Sequence, residues 1–162
     1  MVSVQITATC DNTFDQQLNL IYTTNYPSNY NTNESCSWKV YTPIQGEQIE
    51  LHFVDFQTIP GFDKLYVYDG DNSSSPLIGT YDGFSPDGSV PDDIISTGNS
   101  VFLIFNTHHE LNPVNSYRGF EIVYFLKGNV QTNLTGYTFL MQTHLNPDSM
   151  LSAHVNHKLS VF

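Results

Sequence analysis

Basic side chains are scarce in this sequence. Five Lys and Arg stand against sixteen Asp and Glu, a formal net charge of −11. Clustered cations are what grip phosphate, so nucleic acid is excluded as a natural partner, and an anionic membrane surface with it. Cationic proteins and metal ions are compatible with the acid; the plainer alternative is that the acid keeps a secreted protein soluble. Long apolar runs are also missing: none approaches the roughly 18 residues that cross a bilayer. There is no G-x-S-x-G turn and no H-E-x-x-H pair, so two common hydrolase sites are absent. The adjacent acids Asp92 and Asp93 follow Pro91 and read as part of a turn. No enzyme is expected. Met1 to Gln5 lack the charged region and apolar stretch of a secretory signal.

What is present suits strands. Aromatics make up 14% of the 162 residues and charged residues 13%. Much of the polar remainder is Asn, Ser, Thr and Gln, a balance that favours short strands and polar turns. A chain of this length points to one domain, with room for an appendage, and buries roughly two thirds of its unfolded surface. Two cysteines, Cys10 and Cys36, say little alone: they are reduced in a cytosol and free to pair outside it. Three sequons, at Asn33, Asn72 and Asn133, fit N-glycosylation and so an extracellular setting.

Alternation dominates the first 127 residues. Ile49, Leu51 and Phe53 oppose Glu50 and His52; Leu65 and Val67 oppose Tyr66 and Tyr68; Phe120, Ile122 and Tyr124 oppose Glu121 and Val123. Each is the period of a half-buried strand. The unbroken run Val101 to Phe105 predicts a central strand covered on both faces. Turn residues such as Asn25-Tyr26-Pro27, Pro60-Gly61, Asp69-Gly70 and Pro86-Asp87-Gly88 punctuate these runs, and the spacing predicts an all-β sandwich with little helix. Past Gly128 the texture changes. The expected division is an N-terminal extension over 1–9, a domain over 10–127, and a tail or a fragment of a following segment over 128–162. A short helix from Ser149 to Lys158 is expected within the last.

Several blocks, taken in order, resemble a known family. Tyr26-Pro27-Ser28-Asn29-Tyr30, then Cys36-Ser37-Trp38-Lys39-Val40, resemble the opening of a CUB domain. Gln48 to Phe53 with Phe56, Asp63-Lys64-Leu65-Tyr66-Val67-Tyr68-Asp69-Gly70, Leu103-Ile104-Phe105 and Gly119 to Tyr124 are similar to its later blocks. The resemblance covers about residues 10 to 126. It implies a two-sheet, mostly antiparallel, jelly-roll-like sandwich of secreted or cell-surface proteins. It also implies a disulfide between Cys10 and Cys36, which closes a loop worth roughly 3–4 kcal/mol in the chain-entropy picture. The implied role is a non-catalytic binding module for an extracellular protein or glycan. The alternative is an accessory domain of a secreted protease or receptor whose catalytic part lies outside this chain.

The chain departs from the family at two places. The second disulfide is missing, with no cysteine near Pro60 to Phe62 and Asp82 in the other position, which predicts a looser loop there. Of three acidic positions that hold calcium in many members, only Asp63 remains; the first falls in Gln57-Thr58-Ile59-Pro60 and the third is His108. Calcium wants six to eight oxygens with several carboxylates, so Asp63 is either a residual calcium ligand or a group that bonds local amides. Asp55 is nearby in sequence, with its direction open. His108-His109-Glu110 invites a zinc reading, but adjacent side chains on a strand end diverge. Tyr66, Tyr68 and His108 are the candidate contact residues for a partner.

Overall fold

The computed structural model describes residues 10–15, 18–108 and 117–128. The chain divides into a unit Met1–Val130 and a unit Gln131–Phe162, and the second lies outside the described residues. So do the expected extension over 1–9, the expected helix from Ser149 to Lys158, and Asn133.

Nine strands and no helix occur among the described residues. They are β1 Asn12–Phe14, β2 Leu18–Tyr22, β3 Ser35–Tyr41, β4 Gln48–Gln57, β5 Lys64–Tyr68, β6 Leu77–Tyr81, β7 Ile94–Ile95, β8 Ser100–Asn106 and β9 Gly119–Lys127. A five-stranded sheet runs β1-β3-β8-β5-β6, and a four-stranded sheet runs β2-β9-β4-β7. All neighbouring pairs are antiparallel except β1 with β3. The architecture is therefore the expected all-β sandwich.

Alternation along the strands builds the core between the sheets. Trp38, Val40, Leu65, Val67, Leu103 and Phe105 face in from one side; Ile49, Leu51, Phe53, Phe120, Ile122 and Tyr124 face in from the other. Burying each such side chain contributes about 1.5–3 kcal/mol. Aromatic edges lock the layers together: Phe120 meets Trp38 with ring centres 5.8 Å apart and Phe105 at 5.2 Å. Cys36 lies beside this cluster and is joined to Cys10, with Cα atoms 4.8 Å apart.

Two local features differ from a simple period. The β4–β9 register shifts between Phe53 and Asp55. This bulge lets Phe53 and Phe56 both reach the core, although a spacing of three would otherwise send them to opposite faces. The second concerns β8. It is the central strand of its sheet, but it is not fully covered on both faces. Phe102 and Ile104 are half-buried on the outer face, opposite Tyr68 and Tyr66 of β5. Neighbouring tyrosines do there what a second layer would have done. At the start of β9, Gly119 has φ +87°, and a Cβ on it would overlap the Thr23 side chain.

Candidate functional site

One end of the sandwich is built from the connections that follow β2, β4, β6 and β8, together with the lead into β9. At its centre is Asp63, 0% exposed, just before β5. A carboxylate in that position must be fully hydrogen-bonded to persist. The Tyr30 hydroxyl donates to Asp63 Oδ2 at 2.6 Å, and the His108 backbone N–H donates to Oδ1 at 2.6 Å. The Tyr30 oxygen accepts the Ile59 N–H at 3.1 Å, and Thr58 Oγ1 donates to the Asp63 carbonyl at 3.0 Å. Three loops thus converge on one side chain. Burial, reinforced by the Asp63 carboxylate, pushes the Tyr30 phenol far above its ordinary value, so it remains a donor at any physiological pH. Its ring stands edge-on to Phe105 at 5.2 Å, which fixes the hydroxyl's direction.

This donor set does not fit calcium. Asp63 is the one buried carboxylate among the described residues, where calcium wants several, and each of its oxygens already accepts a hydrogen bond. The position of the third acid offers the His108 N–H, a donor that a cation would repel. Among the described residues no three His, Cys, Asp or Glu side chains gather as a metal site. Asp55 is not a substitute. It is bonded to Arg118 Nη2 at 2.8 Å, to Arg118 Nε, and to Tyr26 Oη at 3.0 Å. Burial raises its pKa, but the bonds from Arg118 and Tyr26 outweigh that and hold it below the usual carboxylate range.

The loop expected to be looser for want of a second disulfide is held by hydrogen bonds. Thr58 N–H donates to the Gly83 carbonyl at 2.9 Å, and Gly83 N–H returns a bond to Thr58 Oγ1 at 2.9 Å. Asp82, at the position of the absent cysteine, accepts the Gly61 N–H. Backbone and carboxylate acceptors tie the two segments that sulfur would otherwise have linked.

The surface of this end carries Phe62, 60% exposed, with its ring centre 5.3 Å from that of the exposed His108. Sequence reasoning misses Phe62. Its place beside Gly61, off any alternating run, is the one local signal for an exposed turn aromatic. Tyr66 and Tyr68 are elsewhere: they are half-buried on the outer face of β5, and Tyr68 lies at the strand end remote from Asp63. The structure brings His108 and Asp63 together and leaves those tyrosines apart. Asn33 is exposed at the loop end, its N–H donating to the His108 carbonyl at 3.1 Å. Asn72 is exposed in the β5–β6 connection, where its Oδ1 accepts the Ser74 N–H.

A family model described as CUB domain matches residues 10–124. Cubilin of Sus scrofa is 32% identical over 146 residues, 86% of this chain and 4% of cubilin. Tolloid-like protein 1 of Homo sapiens is 30% identical over 102 residues, 60% of this chain and 10% of that protein. The chain therefore spans a small part of the length of these relatives. Among solved structures, the MASP-1 CUB2 domain bound to Ca2+ superposes with a TM-score of 0.56 at 21% identity, covering 70% of this chain and 96% of that one.

Proposed function

Because the chain belongs to the CUB domain family, we propose that it is a non-catalytic module of a secreted or cell-surface protein. It binds an extracellular protein through its Asp63 loop end, without a metal. The observation that carries this reading is the pairing of a rigid base with an exposed tip. Asp63 holds the loops from beneath, and Phe62 with His108 is presented on top. A pre-ordered loop loses little entropy on binding, and an exposed aromatic is a natural anchor for a protein partner. Glycans at Asn33 and Asn72 fit this setting, and one at Asn33 would border the contact surface.

Photocrosslinking tests the reading. A photoreactive phenylalanine analogue replaces Phe62 in the intact chain, or replaces Ile44, which is 58% exposed in the β3–β4 connection at the opposite end. In extracellular fluid, position 62 is expected to give discrete protein adducts that excess unlabelled chain suppresses, and position 44 none. Equal labelling from both positions, or none from position 62, contradicts it.

A further inference from the structure

A second surface lies on the flank of the sandwich, where the edge strand of each sheet is left without a neighbour. Among the described residues, β6 pairs only with β5 and β7 only with β4. Between them runs an open groove of about 670 Å³. Its apolar walls include Ile78, Phe84 and Ile95, which are 39%, 48% and 47% exposed. Single exposed apolar residues are ordinary, but a cluster along one groove marks a contact surface. Edge strands are usually blunted by Lys or Pro. β6 reads Leu-Ile-Gly-Thr-Tyr and has neither.

The groove's charge selects its occupant. Asp82, Asp92 and Asp93 line it, and no Lys or Arg does. Asp93 lies 2.7 Å from His52 Nδ1, and Asp92 has no ion-pair partner among the described residues. Of the four described Lys and Arg, Lys39, Arg118 and Lys127 are bonded to acids elsewhere, and Lys64 stands on β5 outside the groove lining. A second copy of a chain with net charge −11 would bring aspartates against aspartates. Residues 129–162 hold one Lys and one Asp and offer no net positive charge from them. We propose that the groove takes an extended segment rich in Lys or Arg from an extracellular partner. The segment would add as a further strand on β6, with alternate side chains directed to the apolar wall and to the aspartates. This site shares Asp82 with the loop end but does not depend on the loop-end reading.

The test uses the full chain and a short blocked peptide alternating Lys and Val, with a Glu–Val peptide as control. Backbone amide shifts are followed by NMR and affinity by fluorescence anisotropy. The Lys–Val peptide is expected to shift Leu77–Tyr81 and Ile94–Ile95, and the Glu–Val peptide to shift neither. The double change Asp92→Asn with Asp93→Asn should weaken binding about tenfold and flatten its salt dependence. Ile78→Lys, at an exposed position, should abolish binding while leaving the melting temperature unchanged. Equal binding of both peptides, indifference to these changes, or shifts confined to Phe62 and His108 would overturn the proposal. So would a dimer in sedimentation that Ile78→Lys breaks, since the groove would then belong to a second copy.

Discussion

The two ends of this sandwich are tied by different chemistry. At the Asp63 end one buried carboxylate accepts from partners far away in sequence: Tyr30 is 33 residues before it and His108 is 45 after. At the other end the buried groups that do the tying are neutral, and two half-buried acids assist: Glu47 accepts from Thr42 Oγ1 at 2.6 Å and Asp69 accepts the Thr97 N–H at 2.9 Å. Asn99 Nδ2 donates to the Thr42 carbonyl at 2.8 Å, Thr42 N–H donates to the Asn99 carbonyl at 2.9 Å, and Ser96 Oγ bridges the Ile49 N–H to the Gly98 carbonyl. Thr42 and Ser96 are as buried as Asp63. Both ends join distant segments, since Ser96 is 47 residues from Ile49 and Asn99 is 57 from Thr42, but a carboxylate has more lone pairs than a hydroxyl and accepts from two loops at once. Removing the charged hub therefore strands more donors: two for Asp63 against one for Ser96.

Breaking the comparison starts with its hubs. Asp63→Ala leaves the buried Tyr30 hydroxyl and His108 amide without their acceptor and should cost about 3–5 kcal/mol in chemical denaturation. Replacing Cys10 and Cys36 together by Ala, also at the Asp63 end, should cost about 2–4 kcal/mol. Ser96→Ala at the neutral end should cost only about 1–2 kcal/mol. A loss at Ser96 equal to that at Asp63 would erase the distinction between the ends.

pH sharpens it. The Tyr30 phenol is held above its unfolded-chain value of about 10, so its stabilisation is complete below that pH and is lost as the pH rises further. Tyr30→Phe should flatten the alkaline limb of a stability–pH curve. The smallest effect is on the acid side. Asp55 titrates below its ordinary value, so its contribution is present above about pH 4 and is lost as the pH falls further. Arg118→Gln should reduce that acid loss.

Much of the frame is legible in the sequence because alternation is local. Ile49, Leu51, Leu65, Val67, Phe120 and Ile122 are placed by period alone, and they lie in the core. The coverage of β8 is misjudged because an unbroken apolar run does not say whether a second layer or a neighbouring strand's tyrosines cover it. The bulge at Val54 is hidden because it is set by pairing with β9. Asp63 is visible as a turn or ligand residue, but its main partner Tyr30 is brought in only by the fold. The acidic groove escapes notice because it needs β6 and β7 to be edges of different sheets, a fact of topology that no window of sequence contains.

The central claim is that hydrogen bonds to Asp63 order the loop end in place of a metal. Thermal unfolding of the full chain in millimolar calcium and in chelator, repeated with Asp63→Asn, tests it most directly. The expected result is one melting temperature for the wild-type chain in both solutions. A rise of several degrees in calcium that Asp63→Asn removes would contradict it.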